Sequence, residues 1–194
     1  MLPIGVSCLT QPTACPTVVS LMKQLTREPR ERLLLDDGSE VMIRPLQRTD
    51  RAGIKASLAR LSDESRYFRF ATAKPRLSER ELDHLMDVDH HRHEALVAID
   101  TATGEGVAVV RYVRLHGESR AAEVAATVTD EWQGRGLGGA MLARLAQRAR
   151  EEGHCALRAS TLAENRRSIA MLRSAGFKPR SRDGVLREYE MALG

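Results

Sequence analysis

The sequence predicts a mixed α/β domain whose central sheet is largely antiparallel and is flanked by helices. Three apolar runs, near residues 95–99, 107–115 and 121–129, are separated by turns that are too short for a crossover helix. We therefore expect them to pair as an antiparallel meander. Amphipathic helical patterns stand before and after these runs, over 77–89 and 137–153. Counting the shorter strands on either side, we expect six to seven strands in the sheet.

The region before the meander is predicted to contain one strand and three helices. In chain order these are a strand over 40–44, a helix over about 50–61, a short helix that begins near Ser62 and a helix that begins at Ser78. Each helix is preceded by Ser, Thr or Asp, which are preferred N-cap residues because their side chains accept a hydrogen bond from the first turn.

The region after the meander begins with a glycine-rich turn and the helix over 137–153, whose apolar residues recur at steps of three and four. A strand over about 155–162 follows, then a helix over 165–175 that Gly176 ends, and finally two strands near 177–180 and 185–192. The meander thus supplies the middle of the sheet, and these later strands extend it.

The composition of the whole chain excludes several classes of function. The net charge of +4 comes from 30 basic and 26 acidic residues without a long block of one sign, which favours small anionic ligands or acidic partner surfaces over nucleic acid. No apolar run approaches the ~20 residues of a membrane span. Three cysteines without a C-x-x-C pair predict neither a disulfide framework nor a zinc site, and they fit a reducing, cytoplasmic compartment.

The N-terminal residues 1–35 are predicted to be a disordered extension, with the folded domain over 36–194. Pro3, Pro12 and Pro16 interrupt the mildly apolar start, and no basic segment precedes it, so a signal peptide is not expected. Met22 is an alternative start of translation.

A strand, a glycine-rich turn and a helix follow one another over 121–142, and this order presents backbone N–H groups at a positively polarised helix N-terminus. An anion is expected there. The glycines at 134, 136 and 139 match the G-x-G-x-x-G dinucleotide pattern, but a Rossmann fingerprint requires a βαβ unit near the start of a parallel sheet, and here a meander comes first. No G-K-[ST] follows, which excludes the phosphate loop of nucleotide hydrolases.

The same residues resemble the acetyl-CoA signature of the GNAT superfamily of N-acetyltransferases, in the pattern Gln133-x-x-Gly136-x-Gly138. Segments 159–165 and 165–177 resemble the fifth strand and the penultimate helix of that family, and 42–50 resembles its first strand and helix start. The resemblance covers about residues 40–192. Within the superfamily, AEVAATVTDEWQGRGLG and HEALVA are most similar to the catalytic domain of bacterial Pat-type protein lysine acetyltransferases.

The resemblance implies a GNAT fold, acetyl-CoA as co-substrate and no metal. Backbone N–H groups over 133–139 would hold the CoA pyrophosphate, and residues without bulk would let the phosphate oxygens approach. Arg135 is either a further phosphate ligand or a solvated arginine, and Asn165 serves as a CoA contact, as a helix cap, or as both. The implied cofactor-binding residues are Val128, Gln133, Gly134, Arg135, Gly136, Leu137, Gly138, Gly139, Asn165 and Ser168.

The implied catalytic residues are Glu123 and Val128. The Val128 N–H would donate to the thioester carbonyl and stabilise the oxyanion as the amine attacks. A lysine-like amine has a pKa of about 10.4 and is protonated near neutral pH, so a base is needed. Glu123 matches the position of the family's catalytic glutamate, and partial desolvation in its apolar strand would suit it to that role. Without the resemblance, an ordinary solvated strand glutamate would be favoured.

The general acid is the less defined part of the predicted site. Many family members have a tyrosine in the helix after the asparagine, where it protonates the departing thiolate, and Leu172 stands at that position here. Either solvent protonates CoA or another residue does, with Tyr112 and Tyr189 as candidates. Direct attack requires no enzyme nucleophile, so Cys155 has no predicted role.

The acceptor is expected to be an amine, with protein lysine side chains first and small-molecule amines second. A non-catalytic acyl-CoA-binding regulatory module is the alternative from another class, because the tyrosine is missing. The polar run 87–94, with His84 nearby, contains metal-ligand types, but its spacing follows no established motif. A polar loop that joins a helix to a strand is the favoured interpretation.

Overall fold

One sheet organises the part of the chain that the computed structural model describes, which is residues 30–70, 77–117, 120–181 and 184–194. The strands are β1 (Glu31–Leu34), β2 (Glu40–Pro45), β3 (His93–Asp100), β4 (Gly106–Arg114), β5 (Ala121–Val128), β6 (Ala156–Leu162), β7 (Lys178–Ser181) and β8 (Leu186–Ala192). The helices are α1 (Arg51–Ala59), α2 (Asp63–Phe70), α3 (Glu79–Met86), α4 (Leu137–Glu151) and α5 (Arg166–Ser174).

The strand order confirms the predicted mixed, largely antiparallel sheet. The order is β1-β2-β3-β4-β5-β6-β8-β7, and every neighbouring pair is antiparallel except β5 and β6. The three apolar runs form the predicted meander, with β4 paired to β3 on one side and to β5 on the other. Helix α4 is the crossover between the two parallel strands, as the length of such a connection requires.

The sheet has one strand more than the six to seven predicted, because residues 31–34 belong to it. These residues lie within the segment assigned to the N-terminal extension, and they pair with β2 from Glu31↔Ile43 to Leu34↔Glu40. Nothing in the residues ERLL indicates a strand, since they form an exposed edge strand without an apolar alternation. Arg144 of α4 pairs with Glu31 and holds the strand against the helix. Residues 1–29 of the predicted extension, including Met22, lie outside the described residues.

Apolar side chains cover both faces of the sheet. On one side, which we call the α4 face, Leu137, Met141 and Leu145 of α4 are fully buried in a core that also contains residues of α5. On the other, the α1 face, Ile54 of α1 and Met86 of α3 belong to a second, smaller core. Side chains alternate along β3 between the two cores, as strand geometry requires.

Thr49 or Asp50 was predicted to cap the first helix; Asp50 occupies the N-cap position, but its side chain forms a largely buried ion pair in place of a capping hydrogen bond. Its carboxylate accepts hydrogen bonds from Arg44 at 2.8 and 2.6 Å and from the Gln47 N–H at 2.7 Å. The Arg44 and Asp50 side chains are 12% and 17% exposed. The pair ties the end of β2 to a 3-10 turn over Arg48–Asp50 that leads into α1.

Replacing Arg44 with methionine is expected to lower the free energy of unfolding by about 3 kcal/mol, because it leaves the Asp50 carboxylate buried without its cation. Urea unfolding measures the change. Arg32→Met is the matched control, since Arg32 pairs with Glu40 at an exposed edge and its loss should change stability by less than about 1 kcal/mol. Equal effects of the two substitutions would contradict the account of this pair.

Among the described residues, the helices are all too short or too polar to cross a membrane.

Candidate active site

A cleft opens between β5 and β6 because the two parallel strands separate. They pair only at Ala121↔Ala156, Ala122↔Leu157 and Glu123↔Arg158, after which β6 remains paired with β8 and β5 with β4. The N–H of Thr129 donates to the Val107 carbonyl, toward the β4 side, at 2.9 Å. Since successive residues of a strand point their N–H groups to opposite sides, Val128 directs its N–H into the cleft. This is the orientation that an oxyanion donor requires.

The glycine-rich turn places the N-terminus of α4 next to the end of β5. Gly134 and Gly136 have φ of 77° and 80°, a left-handed conformation that a side chain disfavours, and Gly136 is the N-cap residue of the helix. The space where a Cβ would stand at either glycine is open. The first N–H groups of α4, at residues 137–139, have no acceptor within the helix and carry its positive dipole end. The turn is therefore built to receive an anion.

Packing gives Gly138 a further reason for lacking a side chain, beside the predicted approach of phosphate. A Cβ at this position would lie 2.5 Å from Met171 Sδ of α5 and 3.5 Å from Val128 Cγ2. The close contact between α4 and α5 favours glycine at this position, and the predicted close approach of phosphate to Gly138 stays a prediction. Gly139 is not crowded, since its nearest neighbour of this kind is Ser174 Oγ at 3.9 Å.

Gln133 holds the turn in place through its side chain. Nε2 donates to the Val128 carbonyl and to Ser65 Oγ, both at 3.1 Å, and Oε1 accepts from Arg167 at 3.2 Å. Its own N–H donates to the Asp130 carbonyl at 3.2 Å. The N–H groups open to a phosphate therefore begin at Gly134, and Gln133 fixes the turn against β5, α2 and α5.

The Arg135 side chain contacts residues outside the glycine-rich turn. Its guanidinium lies over the Trp132 ring, 5.0 Å from the centroid, and donates to Asp37 at 3.0 Å and to Ser39 at 3.2 Å. Hydrogen bonds from Ser39, and then the charge of Arg135, hold the pKa of the Asp37 carboxyl below its usual range. A phosphate contact by Arg135 stays a prediction.

Asn165 acts as the cap of α5. Its Oδ1 accepts from the Ser168 N–H at 3.0 Å, and the residue is 6% exposed. The capping role proposed for Asn165 from the sequence is thus present, and the contacts of Asn165 and Ser168 with CoA stay predictions.

Glu123 lies on the α1 face of β5 and is exposed. The desolvation expected from the sequence is wrong, because both Glu123 and its cross-strand neighbour Val113 are exposed. The pairing of β5 with β4 is unbroken from Ala122 to Val128, so five residues of strand place the Cα atoms of Glu123 and Val128 roughly 16 Å apart. A proton would have to pass from an amine near Val128 to Glu123 through water.

The two tyrosines considered for the general acid lie in the core, as does Leu172, which stands at the position of the family's tyrosine. Leu172 and Tyr189 pack in the core of the α4 face, and Tyr112 is fully buried there. The Tyr112 hydroxyl donates to the His91 carbonyl at 3.2 Å, and burial, followed by the charges of Glu94 and Glu152, raises its pKa well above the usual range. A phenol with a raised pKa is a poorer acid, so Tyr112 does not suit the role.

Comparison with known proteins identifies the family. The profile described as "Acetyltransferase (GNAT) domain" matches residues 40–178. The chain belongs to the GNAT acetyltransferase family. Acetyl-CoA is accordingly the acetyl donor, and the binding of its CoA moiety at the turn over 134–139 stays a prediction.

Three similar proteins place this acetyltransferase within its family. It is 35% identical over 145 residues to acetyltransferase PA5475 of Pseudomonas aeruginosa, a match that covers 74% of this chain and 77% of that protein. It is 34% identical over 104 residues to acetyltransferase Pat of Mycolicibacterium smegmatis, covering 54% of this chain and 31% of Pat. The crystal structure of the GNAT domain of S. lividans PAT has a TM-score of 0.78 and 31% identity, covering 84% of this chain and 97% of that one. These matches confirm the resemblance to Pat-type proteins.

A pair of arginines on the α1 face was missed by the sequence analysis of this acetyltransferase. Arg111 of β4 donates to His93 Nε2, and Arg69 of α2 donates to Thr127 Oγ1 at 3.0 Å. Both guanidinium groups line a cavity with Thr127, one residue before Val128. The signal was an arginine inside the apolar run of β4, on the same face as Val109.

His93 is a buried neutral acceptor for Arg111. Burial, followed by the positive charge of Arg111, lowers the pKa of His93 to about 4, while the carboxylate of Asp89 opposes that shift. A folded-state pKa below the unfolded value of about 6.5 means that the unfolded chain binds the proton more tightly.

The lowered pKa of His93 predicts that the protein loses stability as the pH falls, and that this loss begins at a higher pH than the protonation of carboxylates. The contribution of His93 is fully present above about pH 6.5 and should fall by roughly 3 kcal/mol as the pH drops to about 4. His93→Gln keeps an acceptor for Arg111 without a titrating group, so its unfolding free energy should vary less between these pH values. Parallel profiles of wild type and variant would contradict the assignment.

The polar run 87–94 contains the predicted loop between α3 and β3, which covers residues 87–92, and its last two residues, His93 and Glu94, begin β3. Asp89 Oδ1 accepts from the N–H groups of His91, Arg92 and His93 at 2.8 to 2.9 Å, which fixes the turn. Throughout the described residues, no three His, Cys, Asp or Glu side chains converge to hold a metal ion.

Proposed function

We propose that this acetyltransferase acetylates the side-chain amine of protein lysine residues by direct attack on acetyl-CoA, with Glu123 as general base. The observation that carries the proposal is the cleft where β5 leaves β6. It exposes the Val128 N–H at the end of the strand that also presents Glu123, and it lies next to the anion-binding turn. One strand therefore links the three groups that the reaction requires.

The reaction follows from these positions. The amine nitrogen attacks the thioester carbonyl carbon, a C–N bond forms and the C–S bond breaks. The Val128 N–H stabilises the negative charge on the carbonyl oxygen of the tetrahedral intermediate. The ammonium proton moves to Glu123 through water, and the CoA thiolate takes a proton from solvent, since the buried Tyr112 hydroxyl is engaged with His91.

Two features favour a lysine on a protein surface as the acceptor. The sequence is similar to Pat proteins, and its catalytic-domain motifs resemble those of Pat-type protein lysine acetyltransferases. Glu123 is exposed, so a large acceptor can approach it without entering a closed pocket. A small-molecule amine is the second candidate from the same class.

A panel of acceptors tests the choice. With acetyl-CoA present, we expect kcat/KM for CoA thiol release to be at least about 10-fold higher with lysine-containing peptides than with simple amines and polyamines. A peptide can make additional contacts with the protein, and one additional hydrogen bond is enough for a difference of this size. Higher values for the small amines would replace the protein acceptor with a metabolite. Saturable binding of acetyl-CoA without thiol release for any amine would support the non-catalytic alternative.

A further inference from the structure

We propose that Arg69 and Arg111 bind a carboxylate of the acceptor, so that the preferred acceptor carries a carboxylate within about 10 Å of its reactive amine, the length of three residues of strand. The inference rests on the proposed acetylation of an amine, and it names a chemical requirement on that amine. The two arginines act on the acceptor and leave the CoA phosphates to the turn before α4.

Burial without a counter-charge is the first observation that supports a ligand. Arg111 is 8% exposed, and in the described part of the chain neither it nor Arg69 has a carboxylate within 4.0 Å. Burying a charge is unfavourable unless an opposite charge or a set of hydrogen bonds compensates it. Other largely buried arginines follow that rule, since Arg44 pairs with Asp50 and Arg148 with Glu94.

The proximity of the two cations is the second observation, since Arg69 and Arg111 line the same cavity. Burial and the charge of Arg69 lower the pKa of Arg111 to about 10, which leaves it protonated near neutral pH. Burial also lowers the pKa of Arg69, and Glu123 is the acidic group that opposes this effect. Two protonated guanidinium groups that repel each other are stabilised by an anion placed between them.

The cavity that both arginines line is small, about 20 Å³, which limits it to the carboxylate end of an aliphatic ligand. Its remaining walls are mostly apolar side chains of α1, α3 and β4, among them Ile54, Met86 and Val109. A planar guanidinium donates two parallel hydrogen bonds to a carboxylate, and the apolar walls suit the methylene groups that carry it. Thr127, which accepts from Arg69, is adjacent to Val128, so a carboxylate here lies close to the predicted position of the thioester.

Both arginines are held in place before a ligand binds. His93 accepts a hydrogen bond from Arg111. The start of α2, which carries Arg69, is fixed by Asp130, which accepts from the N–H and hydroxyl of Ser62 and from the Ser65 hydroxyl at 2.7 to 2.9 Å. Asp130 begins the 3-10 turn that follows β5 by two residues, so the helix that presents Arg69 is attached close to the end of the strand at the cleft.

A binding experiment tests the site independently of catalysis. Glutarate, a short aliphatic dicarboxylate, should raise the melting temperature of the wild-type protein at millimolar concentration and should have little effect on Arg111→Met. Arg60→Met is the control, because Arg60 pairs with Glu105 outside the cavity and should respond to glutarate as the wild type does. Equal responses of wild type and Arg111→Met would overturn the site. If Arg111→Met does not fold, Arg69→Met takes its place in the same comparison.

A turnover experiment tests the role in acceptor choice. The wild-type kcat/KM for Nα-acetyl-lysine should exceed that for Nα-acetyl-lysinamide about 10- to 100-fold, the value of a hydrogen bond to a charged group, and peptides with Glu beside Lys should exceed their Gln counterparts. The ratio of kcat/KM for the carboxylate acceptor to that for its amide counterpart should fall toward one in Arg111→Met and should be unchanged in Arg60→Met. Equal turnover of carboxylate and amide acceptors would overturn the inference and leave the acetyltransferase activity intact.

Two further outcomes are distinguishable. If none of the amines is acetylated, the proposed function fails and the glutarate comparison alone decides whether the arginines bind a carboxylate. If Arg111→Met instead abolishes a preference for succinyl-CoA over acetyl-CoA, the carboxylate belongs to the acyl donor, and the assignment to the acceptor is overturned.

Discussion

Replacing Glu123 with glutamine is expected to lower kcat for acetyl transfer about 100-fold or more, the usual range for removing a general base. Glutamine keeps the size and exposure of the side chain but cannot take the ammonium proton. Glu123 lies on the α1 face, whereas the anion-binding turn leads into α4 on the opposite face of the sheet. The substitution should therefore leave the affinity for acetyl-CoA unchanged. Steady-state thiol release at saturating acetyl-CoA gives kcat, and calorimetry gives the affinity.

The pH dependence distinguishes a lost base from a distorted site. Without Glu123 the reaction depends on amine that is already deprotonated, so the rate of the variant should rise about 10-fold per pH unit below the amine pKa of about 10.4. Glu40→Gln, on the distant β2, is the control and should match the wild type. Unchanged turnover of Glu123→Gln would remove Glu123 as the base.

Replacing Gly136 with valine is expected to weaken acetyl-CoA binding about 100-fold or more, because a β-branched residue disfavours φ of 80° and the N–H groups that face the phosphates lose their alignment. The added side chain would also stand in the open space that the anion needs. Calorimetry with acetyl-CoA measures the change.

Gly153→Val is the matched control for this substitution. Gly153 follows the other end of α4, has φ of 79° and is equally uncrowded, so valine there should lower stability by a similar amount. It lies about 15 residues of helix away from the turn and should leave acetyl-CoA affinity unchanged. Similar losses of affinity in both variants would indicate general destabilisation in place of a phosphate site.

The parts of the fold that were predictable from sequence are those governed by local pattern. Short turns between apolar runs determine the meander, and the steps of three and four residues determine α4. Strand β1 escaped prediction because nothing in ERLL indicates a strand. Its position depends on β2 and on Arg144, a residue more than a hundred positions later in the sequence.

The features of the candidate site can likewise be separated into those that local sequence determines and those that depend on tertiary structure. The position of the glycine turn and the orientation of Val128 follow from a strand, a turn and a helix that are adjacent in sequence. The exposure of Glu123 depends on what packs against that end of the sheet, and the cavity that Arg69 and Arg111 share lies between an early helix and a central strand. The packing reason for Gly138 likewise needs Met171, which only the tertiary structure brings near.

The most direct test of the central claim is CoA thiol release by the wild-type protein with acetyl-CoA and a lysine peptide, with the acetylated peptide quantified by mass spectrometry. Direct attack in the cleft predicts thiol and acetylated peptide in equal amounts, and no thiol release above background when the amine is omitted. Tight binding of acetyl-CoA with no amine-dependent thiol release from any peptide or amine would contradict the account.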